Sequence, residues 1–148
     1  MPVRYSHTNL IAGDWRALAR FYEEVFGCVP VPPERDFRGP DLEAGTGVSG
    51  AALRGVHLRL PGHGSAGPTL EIFQYERQLP SFGSSVNRPG FAHIAFEVDD
   101  VLTFRHLILS RGGRCVGEVV TLPVAEKKVT WCYVTDPEGN IIELQQWT

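Results

Sequence analysis

Two histidines and two glutamates recur at matched places in this 148-residue chain. His7 stands in Tyr5-Ser6-His7-Thr8-Asn9-Leu10, and His93 stands in Gly90-Phe91-Ala92-His93-Ile94-Ala95-Phe96-Glu97-Val98, 86 residues on. The same offset carries Asp14 onto Asp100 and Gly27 onto Gly113. Each half also ends on a glutamate set among apolar neighbours, Leu70-Glu71-Ile72-Phe73 and Ile142-Glu143-Leu144. A carboxylate in such company is costly to bury unless it is paired, protonated or bound to a metal. Two imidazoles and two carboxylates, placed by a repeat at equivalent points, make a two-fold metal cage. With nitrogen and oxygen donors and no thiolate, it suits Ni, Co, Zn, Mn, Mg or Fe rather than a structural zinc. Four such ligands on an octahedral ion leave adjacent positions for water or a bidentate substrate. A lone strand histidine is more often a satisfied core residue, so the joint recurrence carries this reading. His57 and His106, beside charged residues, read as exposed, and His63 falls in a turn.

These residues need strands to hold them. Val3 to Leu10 alternates as a first strand, and Asp14 then caps a helix with Leu18, Phe21, Tyr22, Val25 and Phe26 at helical spacing. Gly27 supplies the left-handed stop. A second strand begins at Cys28, and Pro30, Pro32 and Pro33 confine it to an edge or end it. Glu34 to Gly47 reads as a loop or short helix, followed by strands at Ala51 to Leu60 and Thr69 to Tyr75. Glu76 to Pro89 has no period and reads as a linker. The second half repeats the pattern: a strand at Phe91 to Val98, a helix from Val101 to Arg111, and strands at Arg114 to Thr121, Val129 to Thr135 and Ile141 to Trp147. The last follows the turn signal Asp136-Pro137-Glu138-Gly139-Asn140. The expected organisation is a single domain over 1–148, with a first βαβββ module at 1–75, a linker at 76–89 and a second βαβββ module at 90–148.

Composition excludes several alternatives. A net charge of −3 with no basic run argues against a nucleic-acid partner. No apolar run approaches the roughly 20 residues of a membrane span, so no membrane partner is expected. The chain opens on strand-like sequence rather than a signal peptide. Cys28, Cys115 and Cys132 are too scattered for a disulfide framework and read as small buried hydrophobes. A cytoplasmic location is expected.

Together these segments, from His7-Thr8-Asn9-Leu10 through Asp136-Pro137-Glu138-Gly139-Asn140-Ile141-Ile142-Glu143-Leu144, resemble the vicinal oxygen chelate superfamily. That superfamily includes glyoxalases, methylmalonyl-CoA epimerases, extradiol dioxygenases and the fosfomycin- and bleomycin-resistance proteins. The resemblance implies an α+β fold in which two βαβββ modules form an open, mixed-sheet, barrel-like cleft around one divalent metal ion per site, in a homodimer. His7, Glu71, His93 and Glu143 fall on the four family ligand positions. It further implies a metal-dependent isomerase or lyase of the glyoxalase or epimerase type, acting on a small carbonyl substrate through a metal-bound enolate or enediolate. Glu143 is then the catalytic base, with Glu71 second. The glutathione anchors of bacterial glyoxalase I are replaced here by Ile11 and Tyr75, and Glu43 is the acidic residue nearest the epimerases' other catalytic glutamate. One alternative is a non-catalytic drug- or ligand-sequestering resistance protein. Another is an Fe(II) extradiol-type dioxygenase using His7, His93 and Glu143 as a facial triad.

Overall fold

The computed structural model describes every residue from Met1 to Thr148, and the chain divides into two compact units, Met1–Pro80 and Ser81–Thr148. The division falls inside the stretch read as a linker. Each unit is a helix laid on one face of a mixed sheet, giving an α+β class.

In the first unit, strand β1 (His7–Ile11) leads into helix α1 (Trp15–Phe26). The Asp14 carboxylate starts that helix by accepting the Ala17 N–H at 3.0 Å. Gly27 ends it at φ 68°, where its N–H returns to the carbonyls of Glu23 and Tyr22. The chain crosses to the far edge as β2 (Val29–Arg38), makes a short helix α2 (Pro40–Thr46), and returns through β3 (Ala52–Arg59) and β4 (Thr69–Tyr75). The sheet order is β1-β4-β3-β2, with β1 parallel to β4 and the other pairs antiparallel. One face of α1 buries Leu18, Phe21, Tyr22, Val25 and Phe26, and the sheet contributes Val56, Leu58, Leu70 and Ile72 to the core. Fully burying one such side chain is worth about 1.5–3 kcal/mol.

The second unit repeats the plan with β5 (His93–Glu97), α3 (Val101–Ser110), β6 (Arg114–Cys115), β7 (Val120–Val124), β8 (Lys127–Thr135) and β9 (Ile141–Trp147). Its order is β5-β9-β8-β6, with β7 also paired to β8 and β5 parallel to β9. Asp100 caps α3 by accepting the Thr103 N–H at 3.0 Å. Val101 and Ile108 of α3 are buried, as are Cys132, Val134, Ile142 and Leu144 of the sheet.

Several details depart from the sequence expectation. The first strand is paired only from His7, because its ladder partner begins at Thr69. The prolines do not end β2, which continues to Arg38 as an edge strand with an irregularity between Val31 and Arg35. There β2 advances four residues while β3 advances two, from Val31↔His57 to Arg35↔Gly55. The strand expected at Arg114 to Thr121 is likewise interrupted. It advances five residues against three on β8, from Cys115↔Val134 to Val120↔Trp131. Both units thus carry an excess of two residues at the same point of the repeat. Cys115, on the edge strand β6, is exposed, whereas Cys28 and Cys132 are buried. Burial pushes the Cys28 thiol up to about 12.

Candidate metal centre

Strand alternation sorts each sheet into a helix-covered face and an open face. In the first unit Leu70 and Ile72 of β4 turn inward, which leaves Thr69, Glu71 and Phe73 on the open face. Ladder register brings Asn9 of β1 opposite Glu71 on one side and His57 of β3 opposite it on the other. His7 lies two residues before Asn9 and shares its face. Three strands thereby place His7, Asn9, Glu71 and His57 in one patch.

The contacts within that patch are short. Glu71 Oε1 accepts a hydrogen bond from Asn9 Nδ2 at 2.8 Å, and Glu71 Oε2 lies 2.6 Å from His57 Nε2. His7 Nε2 is 3.7 Å from Glu71 Oε1. His7 and His57 meet edge to face, with ring centroids 5.5 Å apart. The other ring nitrogens are engaged outward: His57 Nδ1 is 2.8 Å from the Thr69 hydroxyl and His7 Nδ1 is 3.3 Å from that of Ser6. The ligating atoms of His7, His57 and Glu71 all lie within 4.8 Å of one another. Burial pushes the His57 imidazole below its ordinary range and Arg35 adds to this, against the opposing pull of the Glu71 carboxylate.

In the second unit β5 and β9 place His93 and Glu143 on the face opposite α3, with His93 Nε2 2.9 Å from Glu143 Oε2. Gln145 Nε2 donates to Glu143 Oε1 at 2.8 Å. By register, Ala95 and Tyr133 flank Glu143 as Asn9 and His57 flank Glu71. The Tyr133 ring centroid lies 5.0 Å from that of His93. Burial, followed by the Glu143 carboxylate, raises the Tyr133 phenol above its usual range.

Each unit therefore brings its own sequence-singled histidine and glutamate together. His57 had read as an exposed residue; instead its side chain is only 17% exposed and pairs with Glu71. Asn9, Tyr133 and Gln145 also neighbour the glutamates, and no sequence motif marks them. Glu43, on α2, has its carboxylate taken up by the Gly50 backbone N–H.

The donor chemistry fits a divalent ion. The Glu71 and Glu143 side chains are only 13% and 15% exposed, and each faces imidazole nitrogen rather than lysine or arginine. The sequence profile of the Glyoxalase/Bleomycin resistance protein/Dioxygenase superfamily matches residues 4–144. The chain belongs to that superfamily. Solved structures of this glyoxalase fold include a glyoxalase family protein from Bacillus cereus, 18% identical, with a TM-score of 0.76 over 98% of this chain and 93% of that one. The virulence protein STM3117 from Salmonella typhimurium is 22% identical, with a TM-score of 0.56 over 100% of this chain and 99% of that one. The fosfomycin resistance protein FosX from Listeria monocytogenes, solved with Mn(II) and sulfate, is 19% identical. Its TM-score is 0.54 over 100% of this chain and 95% of FosX. At these identities the likeness is one of fold. No curated protein matches the sequence. No helix of this glyoxalase-superfamily chain is long and apolar enough to cross a membrane.

Proposed function

We propose that the protein is a metal-dependent isomerase or lyase of the glyoxalase or epimerase type, acting on a small carbonyl compound. One observation supports this above the others: each unit sets a histidine and a glutamate together at repeat-equivalent positions, His7 with Glu71 and His93 with Glu143. In this reading the four side chains are the metal ligands. A bound ion of this kind supplies Lewis-acid polarisation of two vicinal substrate oxygens, which favours an enolate-like transition state.

The chain's own residues do the rest. Glu143 accepts the proton from the carbon next to the carbonyl, because only one imidazole lies against it, whereas Glu71 has two imidazoles and an amide around it. Gln145 Nε2 orients the Glu143 carboxylate by holding one oxygen, while the other lies 2.9 Å from His93 Nε2. Return of the proton to a neighbouring carbon completes an isomerisation; expulsion of a leaving group completes an elimination. Glu71 is the second carboxylate available for proton transfer. A homodimer is the assembly we expect, checked by the mass of the purified protein in solution.

Changing Glu143 to Gln tests the assignment. The amide keeps an oxygen donor of the same reach and removes the basic carboxylate. Metal affinity should fall modestly, while turnover falls by the roughly hundred- to ten-thousand-fold typical of losing a general base. A screen on α-keto thiohemiacetals, acyl-CoA epimers and catechols supplies the substrate. If Glu143→Gln binds ligand as before and the wild-type protein turns nothing over, the chain sequesters rather than catalyses. Oxygen-dependent ring opening of a catechol would point instead to the dioxygenase chemistry.

A further inference from the structure

We propose that His57 is a metal ligand, so that the first unit alone binds a divalent ion through His7 Nε2, His57 Nε2 and the Glu71 carboxylate. The proposal rests on the reading above only in taking His7 and Glu71 as ligands, and it adds a donor from β3 that the sequence repeat does not supply.

The geometry is that of a site arranged around its centre. Two ligands each about 2.1 Å from an ion, at tetrahedral to octahedral angles, lie about 3–3.5 Å apart. The two histidine-to-glutamate separations, 2.6 Å and 3.7 Å, bracket that range. Small rotations of the side chains therefore suffice to admit an ion. Both imidazoles present Nε2 inward and engage Nδ1 outward, on Thr69 and on Ser6. Metal-binding histidines characteristically use their second nitrogen in this way, which fixes tautomer and ring orientation. Asn9 Nδ2 performs the corresponding service for the carboxylate. The equivalent position in the second unit is Tyr133, which brings no imidazole to that place. The two units are therefore unequal: the first has three donors and the second has two. Two imidazoles and one carboxylate favour Zn(II), Ni(II) or Co(II) over Mg(II), which prefers oxygen alone.

The experiment uses the full chain with His93→Ala and Glu143→Ala combined, which removes the second unit's donors. With Co(II) as the probe, this variant should still bind about one ion per chain, with visible absorption bands that excess Mg(II) does not displace. Adding His57→Ala should weaken binding by more than about a hundredfold, beyond the ten- to hundredfold typical of losing a supporting hydrogen bond. Pulsed electron paramagnetic resonance on the Cu(II)-loaded double variant should count two coordinated imidazoles, a measurement that does not depend on His57→Ala folding. An empty double variant beside a loaded wild type overturns the proposal and leaves the four-ligand reading standing. A single coordinated imidazole, or a triple variant that binds as well as the double, overturns it too. The four-ligand reading fails separately if wild type and double variant bind the ion with equal affinity.

Discussion

Glu71 and Glu143 are chemically the same residue in different company. Glu71 receives the Asn9 amide and two imidazoles, whereas Glu143 receives one imidazole and the Gln145 amide. The more crowded carboxylate is better suited to holding an ion and the less crowded one to moving a proton. A direct consequence concerns Asn9, which touches no ion in either scheme but aims a ligand. Asn9→Ala should lower Zn(II) affinity by about ten- to hundredfold, measured by calorimetry, with the circular dichroism spectrum unchanged. Unaltered affinity would mean that the amide does not orient Glu71. The four repeat-related residues were legible in the sequence because a repeat marks them twice. His57 has no repeat partner of its own type, since Tyr133 takes its place. Its contact with Glu71 depends on the β3–β4 register, and the connection Leu60 to Pro68 is too long for turn type to fix that register.

At the scale of elements, the helices were readable because their ends are written in local chemistry. Asp14 and Asp100 each accept an N–H three residues on. The continuation of β2 past Pro33 was not readable, because an edge strand tolerates prolines where their missing N–H faces away from the ladder. Asp14→Ala should destabilise the first unit by about 1 kcal/mol in denaturant melts. Asp100 adds a pH signature. The Thr103 backbone N–H holds its carboxyl below the usual range, so the unfolded chain binds the proton more readily. Its stabilisation is present above the unfolded pKa of about 3.9 and disappears as pH falls through the lower folded value. Asp100→Asn keeps an acceptor oxygen but should flatten that acid limb of the melting-temperature profile. Gly113, at the end of α3, is a position of a different kind. A Cβ there would run into the Thr135 carbonyl and the Ile108 side chain, so Gly113→Ala should loosen the helix from β8 far more than a surface change.

At the scale of the whole molecule, each unit carries its own core and its own histidine–glutamate pair. Metal addition therefore distinguishes two schemes by where it stabilises the chain. A ligand bound only by the native state stabilises it by about 2.7 kcal/mol at a hundred times its dissociation constant, and amide exchange reports where that stabilisation acts. In the wild type, Zn(II) should slow exchange in β1, β3 and β4, which carry His7, His57 and Glu71. In the His93→Ala, Glu143→Ala variant that protection should remain. Protection confined to β1, β3 and β4 in the wild type would mean that the first unit binds the ion unaided and Glu143 is free as a base from the outset. Protection of β5 and β9 without β3 would mean that His57 stands outside the ligand set.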